Sequence, residues 1–498
     1  MPTTAPSLLR AESRTVRVLG WAGPLLAAVV GTWLRLVRLG QPNAFVFDET
    51  YYAKDGLSLL RFGSEQQTVD DANERILATA PSVGEADVFL DSPAYVVHPP
   101  LGKWLIGVGE LPLGVTPEGW RVAAVAASVL GILLLGRVVL RLTRNALLAT
   151  IAAGLLALDG LHLVLGRTAI LDGFLALLVL AAFAALLIDR DHTRARYLLH
   201  GVPLGWRWWR GWRVAAGVLL GLACGVKWSA LWYVAAFGAL TLAWEISNRR
   251  AAGAPHPWRG SLQRDALPAF VSIVVVAGLA YLLTWTGWLL TDSGWDRQWD
   301  EGGWWLVPQP LQALAHYHQS MYSFHVGLES EHPYESSAWG WLLQLRPTSF
   351  FYESTGTGCG ASTCSTAVTS VGNPLIWWPA AAALVYQTYR AVFVRDWRST
   401  AAVVGVAAGW VPWLFYPERT TFTFYSVVFL PFLVIALTLS LGQLLGRSGA
   451  RGRPWRIGLV GGYLLAVVVA AWWFYPVWTA MEIPYEHWRW RMWLPSWI

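Results

Sequence analysis

The chain has 498 residues, of which 55% are hydrophobic and only 14% charged, with 33 Trp and a formal charge of +6. So few charges on so apolar a chain exclude an ordinary soluble domain and a disordered one. The basic residues cluster along the chain, which makes them markers of membrane topology and gives no reason to expect nucleic acid as a partner.

Arg10, Arg14 and Arg17 flank the first apolar run at 16–37. That pattern predicts a first span with residues 1–15 in the cytoplasm and no cleavable signal peptide. A polar segment at 41–119 follows, then a second span at 121–142. Residues 146–188 are apolar for about twice a bilayer's thickness, broken at Gly166–Arg167–Thr168, and predict two spans in a hairpin. Arg190, Arg194, Arg196, Arg207, Arg210 and Arg213 mark a cytoplasmic loop. A second hairpin, 214–246, is broken at Gly225–Val226–Lys227–Trp228, and Arg249, Arg250, Arg259 and Arg264 mark the next loop. A span at 267–290 leads to a second long polar segment, 291–373. Runs at 374–393, 399–416, 421–442 and 457–479 complete about eleven spans, with Arg395 and Arg398 after the first of these and Arg447, Arg451, Arg453 and Arg456 after the third. The expected fold is an all-α polytopic domain over 16–479, both long polar segments and the 480–498 tail lying outside. This arrangement puts every Arg-dense loop on the cytoplasmic side. There is no visible inverted repeat.

Cys224 sits in an apolar run and reads as an inert core residue. Cys359 and Cys364 share a Gly/Ser/Thr stretch, where pairing in an oxidising compartment and two free thiols are equally compatible with the spacing. Lys occurs only at 54, 103 and 227, and all three fall on the outer side with Arg167 and Arg419. Each could simply snorkel or cap a helix, but several cations converging on one face would make an anion site. Asp48–Glu49, shortly after the first span and followed by Tyr51, Tyr52 and Lys54, offers a base with an orienting neighbour. It suits an acidic helix N-terminus as well. His98–Pro99–Pro100–Leu101–Gly102–Lys103–Trp104 is either a stiff interfacial turn or a donor and a fixed charge. Arg167 opens a span where backbone N–H groups favour anions, with Asp172 placed to hold it by a salt bridge or merely to neutralise it. His316, His318, His325 and His332 lack the Cys or carboxylate spacing of a metal site, and no metal or other cofactor is expected.

These motifs together resemble the protein O-mannosyltransferases, and most closely their actinobacterial branch. The resemblance rests on Asp48–Glu49, HPPLGKW at 98–104, GRTAILDGFLAL at 166–177, GLACGVKWSALW at 221–232, HYHQSMYSFH at 316–325, HPYESSAWGWLLQLRP at 332–347 and TFTFYSVVFLPF at 421–432. It implies a bundle of the glycosyltransferase C type, a polyprenyl phosphate mannose donor, and Ser or Thr hydroxyls of secreted or membrane proteins as acceptors. Asp48 occupies the position of the family's proposed base, and Glu49 would orient acceptor or sugar. Arg167, Asp172, Lys227, Arg419, His98 and Lys103 are expected around the donor phosphate and sugar, and Tyr51, Tyr52, His332 and Trp339 in the acceptor groove. No second carboxylate nucleophile is evident, so the expected displacement inverts the sugar carbon. The 291–373 loop is too short for the β-trefoil module of eukaryotic relatives, so acceptor choice falls to the core, short loops or a partner such as the secretion channel. Membrane lipids are the other expected partners. The residues themselves do not separate mannose from arabinose or glucose, nor a protein acceptor from a lipid or glycan. A polyprenyl-lipid transporter is the reading from another class, against which an outer-loop carboxylate pair argues, since a transport site belongs near the bilayer midplane.

Overall fold

The computed structural model describes residues 14–202, 205–300, 302, 306–356, 358–446 and 452–498. Arg10, Arg447 and Arg451 lie outside the described residues, as does most of the 1–15 segment. The apolar runs fold as helices because a bilayer offers backbone groups no other partner. In chain order the principal ones are α1 (Arg14–Leu36), α2 (Glu49–Phe62), α3 (Leu101–Leu113), α4 (Pro117–Thr143), α5 (Ala146–Ala157), α6 (Gly160–Leu165), α7 (Leu171–His200) and α8 (Gly211–Cys224). Then come α9 (Ala230–Ala251), α10 (Ala266–Thr284), α11 (Gln309–Val326), α12 (Pro374–Tyr389), α13 (Trp397–Trp410), α14 (Leu430–Leu445) and α15 (Arg453–Trp478).

Among the described residues six helices are long and apolar enough to cross a membrane: α1, α4, α7, α9, α10 and α15. Shorter apolar helices α5, α8 and α14 fill three of the other predicted spans. Burial sorts them into layers. The most apolar stretch of α7 is 72% buried against 28% for α1 and α15, so α7 is a core helix and the other two turn most of their apolar surface outward to lipid. α14 joins α7 in the centre, with every residue from Leu430 to Leu439 buried.

Both predicted hairpin breaks are turns, at Gly166–Thr168 and Gly225–Lys227. Two expectations change. The 146–188 stretch has an additional break, because Asp159 caps α6 through the N–H of His162 (3.0 Å) and accepts hydrogen bonds from Asn373 N (3.1 Å) and Trp377 Nε1 (2.8 Å). A buried carboxylate so engaged competes with a continuous helix. The predicted span at 421–442 begins as a 3-10 turn, Thr423–Val428, before α14. Thr421 and Thr423 spend their hydroxyls on Ser336 and Arg346 backbone and side-chain oxygens rather than on a helix of their own.

The long polar segments and the C-terminal tail also carry strands. β1 (Gln66–Thr68) pairs antiparallel with β2 (Phe89–Pro93). β3 (Ser349–Thr355), β4 (Cys364–Thr369) and β5 (Ile483–Pro484) form an antiparallel sheet in that order. A Cys359–Cys364 disulfide ties the β3–β4 connection, and Cys224 is free and buried. α2 lies directly on α3, because a Cβ on Gly56 would sit 2.8 Å from Lys103 O and one on Gly107 2.6 Å from Gly56 O. That backbone approach, open only to glycine, fixes the helix that Asp48 begins.

Candidate active site

The turn into α2 is anchored before it reaches Asp48. Phe47 holds a left-handed backbone (φ 51°), which costs a bulky residue about 1–3 kcal/mol. Its ring offsets this by stacking on Phe350 (5.0 Å) and meeting the edges of Phe422 (5.5 Å), Phe424 (5.6 Å) and His332 (5.9 Å). Asp48 then occupies the helix-cap position without using its side chain as a cap. Its carboxylate instead accepts a hydrogen bond from the Tyr52 hydroxyl (3.3 Å). Burial pushes the Asp48 pKa up to about 6. The charge of Lys227 and the Tyr52 hydrogen bond oppose the rise, and the charge of Asp172 adds to it.

Glu49 points the other way and is fully buried. Arg121 donates to both its oxygens, Nε at 2.9 Å and Nη2 at 2.8 Å, and the N–H groups of Ala169 (2.9 Å) and Val46 (3.1 Å) complete the set. Arg121 also donates to the carbonyls of Leu39, Pro42 and Ala44. Glu49 therefore turns its carboxylate to Arg121 and two backbone amides, and not toward the cavity where acceptor or sugar contact is expected. Breaking this pair by Arg121→Gln strands a buried carboxylate and is expected to cost about 3–5 kcal/mol, read as a large fall in the thermal unfolding temperature in detergent.

A cavity of about 180 Å³ is lined by His98, Lys227, His325 and Arg419 among aromatics that include Trp228 and Trp413. Lys227, from the turn between α8 and α9, donates to both oxygens of Asp172 at 3.1 and 3.0 Å and sits 4.0 Å over the ring of Tyr425. Burial alone would lower the Lys227 pKa, but the charge of Asp172 and the hydrogen bond to it outweigh burial and hold it above its ordinary value. His98 stacks on His325 (5.1 Å). Burial first, then the charges of Lys227, Lys103 and Arg419, keeps the His98 pKa well below normal, so the ring is neutral.

The structure thus brings Lys227, Arg419 and His98 to one cavity; Asp172 lines a smaller neighbouring one that shares Ser229 and Trp413 with it, and Asp48 feels the charges of Lys227 and Asp172. Other expected residues stand elsewhere. Arg167 is buried and donates to the carbonyls of Val37 (3.2 Å) and Arg38 (2.6 Å), so the Arg167–Asp172 bridge gives way to Lys227–Asp172. Lys103 is buried in an ion pair with Glu65, with Asp55 at 3.9 Å, and is spent there instead of on a donor phosphate. His332 packs on Phe47 and Phe422. Tyr51 and Trp339 are exposed, 64% and 68%, on the surface rather than in the cavity. His316 pairs with Asp296 and stacks on Trp299. Arg121, Tyr425 and Trp413 are not evident from the sequence as site residues. Arg121 carried a usable signal, a cation at the outer start of a span, as Arg167 does.

Sequence models place the chain among known proteins. The one described as "Dolichyl-phosphate-mannose-protein mannosyltransferase" matches residues 98–282, and that of the "C-terminal four TMM region of protein-O-mannosyltransferase" matches 310–497. The chain is 35% identical to a polyprenol-phosphate-mannose–protein mannosyltransferase of Mycobacterium tuberculosis, over 97% of this chain and 92% of that one. It is 33% identical to the protein of that name from Corynebacterium glutamicum, over 96% and 93%. Its fold superposes on the S. cerevisiae protein O-mannosyltransferase Pmt1-Pmt2 complex bound to the sugar donor, with a TM-score of 0.71 at 14% identity over 99% of this chain and 94% of that one. ArnT from Cupriavidus metallidurans bound to undecaprenyl phosphate gives a TM-score of 0.53 at 16% identity over 92% and 76%. Both likenesses are of fold, the glycosyltransferase C type.

Proposed function

The chain belongs to the protein O-mannosyltransferase family, and from that premise we propose that it moves mannose from polyprenyl phosphate mannose to Ser or Thr hydroxyls of secreted or membrane proteins. The observation that carries this reading is the buried Asp48 carboxylate, its pKa raised to about 6, within the electrostatic reach of Lys227, which itself lines a cavity with Arg419. Asp48 takes the hydroxyl proton as the hydroxyl oxygen bonds to the sugar's anomeric carbon. The bond from that carbon to the phosphate oxygen breaks, and the bonding electrons leave with the polyprenyl phosphate. Lys227 and Arg419 stabilise the charge the phosphate gains, so no general acid and no metal is invoked. One displacement inverts the anomeric carbon.

The orientation follows the same physics. A disulfide at Cys359–Cys364 persists in an oxidising compartment, which supports a reading with the 291–373 segment and the cavity on the outer side of the cell membrane and the N-terminus in the cytoplasm. Acceptors then arrive as they leave the secretion channel, a transient partner in this reading.

Purified protein in detergent, given radiolabelled polyprenyl phosphate mannose and a Thr/Pro-rich peptide, is expected to label the peptide with the inverted anomer. The same carrier loaded with arabinose or glucose should label it weakly. Label passing to lipid instead of peptide, or from another sugar in preference to mannose, would overturn the assignment.

A further inference from the structure

Arg419 has to present its charge to a phosphate from a short connection between α13 and the 3-10 turn at Thr423, an element too short to hold a long side chain by itself. A single residue of α11 does most of the holding. Arg419 Nε donates to the His325 carbonyl (3.1 Å), which in the last turn of α11 lacks a helical partner. Arg419 Nη2 lies 3.4 Å from His325 Nδ1, and Nη1 donates to Thr420 O (3.2 Å). Guanidinium has five N–H donors, so three are committed and two remain, one on each terminal nitrogen.

The imidazole can accept from Arg419 only in one tautomer, and the structure fixes that tautomer. His325 Nε2 is 2.7 Å from Val97 O, a carbonyl that can only accept, so the proton sits on Nε2 and Nδ1 offers its lone pair. The ring is held from its faces by His98 (5.1 Å) and Trp228 (6.1 Å). The charged groups acting on it are Arg419 and Lys227, both cations, and burial together with them keeps its pKa low, at about 4. The ring thus stays neutral while it orients a cation.

We propose that the His325 imidazole is a positioning residue that fixes one edge of the Arg419 guanidinium, leaving its two free donors aimed at the departing phosphate. This rests on the mannosyl-transfer reading above for its consequence in catalysis, but its geometry can be tested without any sugar. The carrier lipid alone, polyprenyl phosphate, is the probe. His325→Phe keeps the ring and the backbone carbonyl but removes both polar atoms. His325→Gln keeps one donor and one acceptor.

His325→Phe is expected to lower kcat by roughly 10- to 100-fold, the scale of a misaligned group, and to weaken polyprenyl phosphate binding with little change in the KM for acceptor peptide. His325→Gln should recover much of both losses. In an Arg419→Gln background, His325→Phe should add nothing further, because the residue acts through that side chain. Losses that multiply in the double variant, or full activity and binding in His325→Phe at unchanged thermal stability, would overturn the proposal. Should the wild type transfer no mannose, that reading fails alone, and non-additivity in polyprenyl phosphate binding still decides the role of His325.

Discussion

Asp48→Asn is expected to cut mannosyl transfer by about 10³-fold, within the 10²–10⁴-fold range of a positioned general base, while binding of the donor survives. The amide keeps the size of the side chain and its hydrogen bond with Tyr52, so the turn built on Phe47 stays intact and the loss reports proton transfer. Asp48→Glu should also fail, by roughly 10²-fold, because one added methylene moves the carboxylate about 1 Å from the attacking oxygen. The pH profile supplies a second, independent reading. Burial raises the Asp48 pKa to about 6, so the protonated, inactive form accumulates as pH falls through that value. Transfer should be near its plateau at pH 7.5 and about tenfold lower at pH 5, an acid limb that Asp48→Asn abolishes. Measured kcat/KM against pH, with folding checked at each pH, decides the matter. An acid limb that persists in the variant would move the base elsewhere.

Much of this arrangement can be read in the sequence, and the parts that cannot share one physical cause. Arg clusters, apolar run lengths and the breaks at Gly166 and Gly225 are local signals, and the turns stand where those residues put them. The helix start at Asp48–Glu49 is legible for the same reason, as carboxylates placed just past a span. Pairings between helices are not. Asp172 lies one turn from Arg167 in sequence, yet its partner is Lys227, 55 residues away. Lys103 looks like a free outer cation until α3 lies against the segment that carries Glu65. Glu49 looks like a partner of Asp48, but adjacent residues at a helix start diverge by about 100°, and Glu49 turns inward to Arg121. Charge identity is local, whereas the choice of counter-ion is made by packing.

Lys227 is where that distinction has its largest measurable consequence. Removing it should do two separate things. The leaving phosphate loses a fixed positive charge, expected to lower kcat by about 10²–10³-fold. Asp172, 2% exposed, loses its only hydrogen-bond partner among the described side chains, and a buried carboxylate stranded in this way costs about 3–5 kcal/mol of stability. Lys227→Met alone mixes the two effects. Lys227→Met with Asp172→Asn separates them, since the neutral pair removes the stranded charge while the phosphate site remains without its cation. The double variant should regain most of the wild-type unfolding temperature in detergent and none of the transfer rate. Recovery of both would make the pair purely structural and leave Arg419 as the principal phosphate cation. A failure to recover stability would instead show that the Lys227 contact with Tyr425, 4.0 Å from the ring centroid, is what holds the turn between α8 and α9 in place.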